Sequence, residues 1–525
     1  MTPNDLKESG LHLLKKGQKG LVRALFSRLG LFLLLLVLEA LLLLGAFRWF
    51  VQLLPHFLGG ALLFSVVMVV YLLNTRMDAT AKLTWLVIIM GAPVAGAVLF
   101  WLVRSDLGHR AEKERVAEII RLTRDALPPQ PGALAALEAE NPGAAGLARY
   151  VGQSGCHPVY QNTAVTYFSL GQDKWERLLA ELEQAEQFIF LEYFIIDEGL
   201  MWGRILEILA RKAKAGVDVR VMYDGTCEFS TLPHDYPRRL EKLGIRCKAF
   251  APVVPLVSTH YNYRDHRKIL VIDGHTAFTG GVNLADEYIN HIEKYGHWKD
   301  TAVMLKGEAA RSFTLLFLQM WNVTEQPPQF GEFCAAPVPP VRAAGFVMPF
   351  GDCPLDEDKV GEEVYMDILN RATRYVHIMT PYLILDGELQ NALEFAARRG
   401  VDVRIILPGV PDKAAPYALA KTHYPALLDA GVKIFEYTPG FVHAKVFVAD
   451  DREAVVGTIN LDYRSLYHHF ECAAWMYGVD CVADIEADFA ATQAKCRRVE
   501  KDTIWHNARR LRLLGPLLKV IAPLM

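Results

Sequence analysis

Two segments of the sequence repeat the same order of predicted elements. In residues 188–225 and again in residues 375–409, an apolar strand is followed by an amphipathic helix and a second apolar strand. Each second strand begins with the pentapeptide GVDVR, at Gly216–Arg220 and Gly400–Arg404. A strand led by glycine and a strand containing histidine follow in both segments. Two α/β halves of common ancestry explain this repetition better than chance.

The histidine-containing strands carry the same polar residues at the same spacing. The first array is His266, Lys268, Asp273 and Asn283, and the second is His443, Lys445, Asp450 and Asn460. Residues two apart in a strand share a face, so each histidine and its lysine point the same way. A lysine repels the metal ion that an imidazole would bind, so the array favours an anion and predicts no metal. Lysine and asparagine suit a phosphate, beside which a histidine can act as nucleophile or proton donor.

Four acidic residues are candidates for a supporting role. The odd spacing from histidine puts Asp273 and Asp450 on the opposite strand face, where they either fix the corner after the strand or contact the substrate. Glu471 is a candidate to orient His443, and Asp300 to orient His266. For both of these residues the alternative is a solvated surface acid.

The N-terminal part of the chain is markedly apolar. Hydrophobic residues make up 52% of the sequence and charged residues 22%, and the mean hydropathy is +0.16. Three long apolar stretches, Leu29–Phe47, Phe57–Leu73 and Leu83–Val103, predict two or three transmembrane helices. Basic residues flank the group on both sides, which favours a cytoplasmic location for both ends and an even number of crossings. Glu39 makes the first stretch the candidate for a re-entrant or interfacial segment.

Composition shifts divide the chain into five parts. We expect a membrane anchor (1–110), a linker (111–150), a first α/β domain (151–340), a second α/β domain (341–505) and a basic amphipathic tail (506–525). The tail either lies on an anionic bilayer or packs on the body.

Charge and cysteine content limit the possible partners. The chain has 56 basic and 59 acidic side chains and a formal net charge of −3, which excludes a broad basic surface for nucleic acid. Its eight cysteines form no CxxC pair, which favours a reducing compartment and a cytoplasmic catalytic body.

The paired arrays resemble those of the phospholipase D superfamily, and the wider pattern resembles bacterial cardiolipin synthases. The resemblance runs from about residue 74 onward and includes LEYFIID, NYRDHRKILVIDG, TGGVNLADEY, HWKDT, FVHAKVFVADD and VGTINLDYRSL. One departure is His469 in HHFE, where those enzymes commonly have asparagine.

The resemblance implies a fold of two duplicated phospholipase-D-like α/β sandwich domains and a multi-pass enzyme of the bacterial inner membrane. It implies transfer of a phosphatidyl group from one phosphatidylglycerol to another through a phosphatidyl-histidine, without a cofactor. The predicted catalytic residues are His266, Lys268, Asp273, His443, Lys445 and Asp450, with Asn283 and Asn460 on the phosphate. Analogy favours His266 as nucleophile and His443 as acid and base. The alternative functions left open are a phospholipase D, a transferase with another alcohol acceptor, a nuclease and a non-catalytic membrane scaffold. Assembly into a homo-oligomer is also left open.

Overall fold

The structure is a computed structural model that describes residue 45 and residues 58–104, 110–252, 263–506 and 508–524. The N-terminal helices are α1 (Leu58–Leu73), α2 (Ala79–Gly91), α3 (Pro93–Arg104), α4 (Arg110–Leu122), α5 (Pro131–Glu140) and α6 (Pro142–Ser154). The elements of the first half are β1 (Ala164–Phe168), α7 (Gly171–Leu182), β2 (Phe188–Tyr193), α8 (Leu200–Lys214), β3 (Asp218–Asp224), α9 (Cys227–Ser230), α10 (Tyr236–Glu241), β4 (Arg246–Phe250), β5 (Arg264–Asp265), β6 (Lys268–Ile272), β7 (Thr276–Gly280), β8 (His297–Lys299), β9 (Ala302–Lys306), α11 (Ala310–Trp321) and α12 (Gly331–Cys334).

The second half repeats this order and ends in a short tail. Its elements are β10 (Phe346–Asp352), α13 (Val360–Arg371), β11 (Tyr375–Met379), α14 (Gly387–Arg398), β12 (Asp402–Pro408), α15 (Ala414–Ala420), α16 (Tyr424–Ala430), β13 (Lys433–Tyr437), β14 (Gly440–Val442), β15 (Val446–Ala449), β16 (Glu453–Gly457), α17 (Tyr463–Tyr467), β17 (His469–Tyr477), α18 (Cys481–Gln493), β18 (Cys496–Arg498) and α19 (Leu514–Lys519).

Each half is built on one mixed sheet, and the two sheets have matching strand orders. The first runs β1-β9-β7-β6-β2-β3-β4, and the second runs β10-β17-β16-β15-β11-β12-β13, with β18 added at its edge. The parallel pairs β2–β3 and β11–β12 begin at equivalent residues, since Phe188 pairs with Asp218 and Tyr375 pairs with Asp402. The predicted duplication of two α/β domains is therefore confirmed.

The repeated pentapeptide GVDVR has a local structural explanation. Gly216 and Gly400 both follow a helix and have φ of +96°, a left-handed conformation that glycine adopts without strain. The aspartate and arginine then share one strand face and pair with each other, at 2.8 Å in the first half and 2.6 Å in the second. The pentapeptide thus ends the helix and starts the strand in both halves.

Both faces of each sheet are buried. Phe190 and Val271 of the first sheet and Val446 and Val456 of the second belong to one apolar cluster shared by the two halves. The alternate residues of each sheet pack against the helices of their own half. The strands consequently read as continuous apolar runs in the sequence.

The N-terminal apolar stretches differ in part from their predicted form. Leu29–Phe47 lies outside the described residues except for residue 45. The predicted span Leu83–Val103 is not continuous, because α2 ends at Gly91 and Pro93 begins α3. The two helices turn back on each other, with the rings of Trp85 and Phe100 5.1 Å apart. Over the described ranges, none of the helices combines the length and the apolar character needed to cross a membrane.

Residues 111–150, the predicted linker, are largely helical. Leu137 of α5 and Ala144 of α6 are fully buried in the apolar cluster of the second half. These helices therefore rest on the globular body.

Candidate active site

Two short parallel strand pairs connect the halves next to the histidines. Strand β14, which precedes His443, pairs with β8 of the first half, and the His443 N–H donates to the Lys299 carbonyl at 2.7 Å. Strand β5, which precedes His266, pairs with the start of β17 in the second half, and the His266 N–H donates to the Phe470 carbonyl at 3.0 Å. Each histidine is therefore held by the half to which it does not belong.

The same pairing brings each histidine to a carboxylate of the other half. His266 Nδ1 lies 2.8 Å from Glu471 Oε1, and His443 Nδ1 lies 2.7 Å from Asp300 Oδ2. Both acids are fully buried. The predicted pairing of Glu471 with His443 and of Asp300 with His266 is wrong, because the two carboxylates lie on the opposite histidines. Proximity along the chain was misleading because the connecting strand pairs cross between the halves.

Two buried lysines stand beside the histidines. Lys268 Nζ donates to the backbone carbonyl of His266 at 2.5 Å, and Lys445 Nζ donates to that of His443. Burial lowers the pKa of Lys268 to about 8, opposed mainly by the charge of Glu471. Burial likewise lowers the pKa of Lys445 to about 7, opposed mainly by Asp300. A bound anion would stabilise the charged form of these lysines, because its negative charge compensates for the hydration that burial removed.

The two sets of residues form one electrostatic cluster. Burial and the charge of Lys445 lower the pKa of His443 to about 4, although Asp300 opposes them; Lys268 of the other half also contributes to the lowering. Burial lowers the pKa of His266 well below its usual value, with Glu471 opposing. Without a ligand, burial thus favours the neutral form of both imidazoles.

Asp273 and Asp450 do not join this cluster. Asp273 accepts hydrogen bonds from the backbone N–H groups of residues 186, 187 and 188, each at 2.8 Å. Asp450 accepts from the N–H groups of residues 373, 374 and 375 and from the Thr373 hydroxyl. The five residues of strand β6 lie between His266 and Asp273 and span roughly 15 Å at about 3.3 Å per residue. The expectation that these aspartates are catalytic is corrected: they fix the corner after the strand, which was the structural alternative.

The two asparagines predicted to bind phosphate differ in their surroundings. Asn283 Oδ1 accepts from the Ile195 N–H at 3.0 Å, and its Nδ2 donates to the Tyr288 hydroxyl at 2.8 Å. Asn460 is also buried, but its Oδ1 has no hydrogen-bond partner among the residues that the structure describes. The amide of Asn283 therefore supports a loop, whereas that of Asn460 retains bonding capacity. Phosphate binding by either residue stays a prediction.

The comparisons with known proteins agree with this architecture. The family model described as "Cardiolipin synthase, PLD-like domain" matches residues 178–321 and 365–492, which include both histidines. The chain belongs to this family.

Curated relatives cover most of the chain. A Geobacillus kaustophilus protein named cardiolipin synthase is 30% identical over 88% of this chain and 91% of its own length. One from Alkalihalophilus pseudofirmus, with the same name, is 31% identical over 85% and 89%. A Streptococcus mutans protein is 55% identical over 87% of this chain and 99% of its own. The predicted resemblance to the phospholipase D superfamily and bacterial cardiolipin synthases is confirmed.

A solved structure supports the fold. The crystal structure of phosphatidylserine synthase from Haemophilus influenzae matches with a TM-score of 0.52 and 16% sequence identity, over 68% of this chain and 95% of that one. At this identity the match shows a shared fold.

One further polar residue of the site is His469, to which the sequence pattern assigns no role. His469 lies two residues before Glu471 in β17 and therefore on the same strand face. Its ring centre is 5.3 Å from that of His266. In the sequence, the spacing of two residues from Glu471 indicates that His469 shares a strand face with this acid. That this face lies against His266 follows only from the crossed pairing of the two halves.

Within the part of the chain that the structure describes, two groups have a composition that could hold a metal ion. His266, His469 and Glu471 bring potential ligand atoms within 4.8 Å of one another, as do Glu362, Asp386 and Glu388. A lysine accompanies each group: Lys268 bonds the backbone of His266, and Lys359 Nζ lies 3.5 Å from Glu362 and 3.7 Å from Glu388. These ammonium groups oppose a divalent cation, so an anion suits the first group better.

Proposed function

We propose that this chain is a phosphatidyltransferase that converts two molecules of phosphatidylglycerol into cardiolipin and glycerol. The supporting observation is the crossed arrangement, in which each histidine carries a carboxylate of the other half behind its Nδ1 and a lysine of its own half beside it. A carboxylate on Nδ1 fixes the imidazole tautomer and leaves Nε2 for the substrate. Two such imidazoles suit a two-step transfer at one phosphorus atom.

The first step would release glycerol. His266 Nε2 attacks the phosphorus of phosphatidylglycerol, a nitrogen–phosphorus bond forms, and the bond from phosphorus to the headgroup oxygen breaks. His443 gives its Nε2 proton to the departing oxygen. In the second step, a hydroxyl of another phosphatidylglycerol gives its proton to His443 and attacks phosphorus, and the bond to His266 breaks. The choice of His266 as nucleophile rests on analogy with the superfamily.

Substrate binding would allow His443 to take up from solvent the proton that it donates in the first step. His443 has a pKa of about 4 without a ligand, because of burial and the adjacent Lys445. A phosphodiester carries a negative charge, and an opposite charge within a few ångströms raises the pKa of an imidazole. Lys268 and Lys445 would stabilise the charge on the phosphoryl oxygens without a metal ion.

We further propose that the enzyme works at the bacterial inner membrane with its catalytic body on the cytoplasmic side. Apolar side chains of α1 and α2 are exposed, including Leu63, Val67 and Val87. Leu513 and Leu517 of the tail are 83% and 70% exposed, and the tail is tied to α2 by a hydrogen bond from the Thr84 hydroxyl to the Val520 carbonyl at 2.7 Å. Exposed apolar surface of this kind fits a lipid bilayer, which also contains the substrate.

The decisive experiment is lipid analysis of a bacterial host that lacks cardiolipin and expresses this chain. Accumulation of cardiolipin, unaffected by EDTA in membrane extracts, is the expected result. His266→Ala and His443→Ala should each abolish it, whereas the control His234→Ala, at an exposed histidine paired with Glu228, should not. Phosphatidic acid alone would instead identify a hydrolase, and a different phospholipid would identify another alcohol acceptor. A fully active His266→Ala or His443→Ala variant would refute the two-histidine mechanism.

A further inference from the structure

His469 is a buried imidazole without hydrogen-bond partners among the described residues. Its exposure is 7%, and both Nδ1 and Nε2 are unpartnered. Glu471 Oε1 lies 3.6 Å from Nδ1, within ion-pair distance but beyond hydrogen-bond range. That oxygen already bonds His266 at 2.8 Å. Buried polar groups in proteins are almost always satisfied, so the missing partner of His469 points to a ligand.

The duplicated fold identifies the counterpart of His469. In the two connecting strand pairs, the Phe470 carbonyl accepts from the His266 N–H and the Lys299 carbonyl accepts from the His443 N–H. Phe470 and Lys299 are therefore equivalent. The residues before them, His469 and Trp298, are equivalent as well. The ring of Trp298 lies 5.5 Å from that of His443, as the ring of His469 lies 5.3 Å from that of His266. The same aromatic position is therefore filled by an indole on one side of the site and by an imidazole on the other.

The surroundings of His469 favour an anionic ligand. Its ring lies 6.4 Å from Phe194, the same ring over which Lys268 Nζ stands at 5.5 Å. Two carboxylates act on His469, and both are already engaged: Glu471 by His266 and the Thr458 hydroxyl, and Asp462 by the Ser465 N–H. The Lys268 ammonium group and the unpartnered imidazole nitrogens of His469 both suit phosphoryl oxygens.

We propose that His469 donates a hydrogen bond to a non-bridging phosphoryl oxygen of the bound phosphodiester. This inference deepens the proposed function and rests on it for the position of the phosphate. In an in-line displacement the attacking and leaving atoms stand at opposite ends of phosphorus, and the non-bridging oxygens lie to the side. With His266 as the attacking group, His469 beside it contacts a non-bridging oxygen. The departing glycerol lies on the opposite side of phosphorus, next to His443 and Trp298.

The test compares three substitutions in the full chain. His469→Phe keeps an aromatic ring without nitrogen atoms, His469→Gln keeps a hydrogen-bond donor, and His377→Gln is the control for loss of a buried imidazole that bonds a carboxylate, Glu486, outside the site. Dissociation constants for inorganic phosphate and for glycerol phosphate are measured by isothermal titration calorimetry. His469→Phe should raise both about 10- to 100-fold, as expected for one hydrogen bond to a charged group. His469→Gln should restore most of the loss, and His377→Gln should change neither constant.

Other outcomes would overturn the inference. Unchanged constants in His469→Phe would show that the residue does not contact the ligand, and a rise for glycerol phosphate alone would place the contact on a glycerol hydroxyl. If His469→Phe does not fold, the imidazole ¹⁵N signals of His469 in the wild-type chain provide the answer: they should shift on addition of phosphate, and constant signals would refute the contact. Failure of the wild type to form cardiolipin would refute the proposed function but not this contact, which is measured by binding.

Discussion

Each candidate catalytic histidine is completed by an acid from the opposite half. Glu471 lies 28 residues after His443 in the sequence, but the structure places it on His266. The residue types could be predicted because the arrays recur at fixed spacing. Their partners could not, because a crossed exchange between homologous halves leaves no trace in local spacing.

Substitution of the acids should act on one histidine at a time. Glu471→Gln should shift the imidazole ¹⁵N signals of His266, and Asp300→Asn those of His443, because an amide does not fix the tautomer as a carboxylate does. Activity should fall about 10³- to 10⁴-fold in each variant by analogy with other carboxylate-supported histidines. A shift of His443 in Glu471→Gln without one of His266 would contradict the crossed pairing.

Asp450 should contribute to stability and not to chemistry. Burial raises its pKa, but hydrogen bonds from Tyr375, Thr373 and Arg374 prevail and lower it below the usual value. A carboxylate with a lowered folded-state pKa stabilises the protein above its unfolded pKa of about 3.9, and this contribution is lost as the pH falls through the folded-state value.

Thermal unfolding of Asp450→Asn should follow this pH dependence. The variant should melt at a lower temperature than the wild type at pH 7, and the difference should shrink toward pH 3. The folded variant should keep its activity. An inactive Asp450→Asn variant with an unchanged melting temperature would restore a catalytic role to this residue.

At the scale of elements, the short pairs β5–β17 and β8–β14 align the two histidines. They contain few residues, and nothing in their composition marks them as strands that pair across domains. The long strands were predictable because burial on both faces makes them continuously apolar. The helical hairpin of α2 and α3 was missed because an apolar run alone cannot distinguish one long helix from two short ones, although Pro93 offered a signal.

Gly440 provides a test of the β8–β14 pair. A Cβ atom at this position would lie 2.3 Å from the His297 carbonyl oxygen and 2.5 Å from its nitrogen, so Gly440→Ala must push the strands apart. Since β14 leads directly to His443, we expect Gly440→Ala to lower activity by tenfold or more. Gly387→Ala is the matched control, because a Cβ atom there meets nothing within 4 Å. Equal activity of the two variants would show that the pair does not position His443.

At the scale of the whole molecule, two equivalent sheets share one core, and the site lies where strands cross between them. The exposed apolar residues are concentrated elsewhere, on the N-terminal helices and the tail. Four exposed basic residues accompany the tail, namely Arg509, Arg510, Arg512 and Lys519. The whole-chain net charge of −3 conceals both this local positive charge and the lysines of the site.

The tail should contribute to membrane binding. Leu513→Glu with Leu517→Glu places two negative charges on exposed positions, so it should weaken binding of the full chain to vesicles containing phosphatidylglycerol without lowering the melting temperature. Glu332→Gln, at an exposed residue of the body, is the control. Vesicle sedimentation measures the difference, and equal binding of both variants would exclude the tail from the membrane contact.

The most direct test of the central claim is mass spectrometry of the full chain mixed with phosphatidylglycerol and stopped at alkaline pH, which preserves a nitrogen–phosphorus bond. A single site formed by both halves predicts a phosphatidyl adduct on His266. The adduct should accumulate in His443→Ala, because this variant lacks the base that activates the acceptor hydroxyl in the second step. The adduct should be absent from His266→Ala. Rapid formation of cardiolipin with no adduct on either histidine would contradict the account.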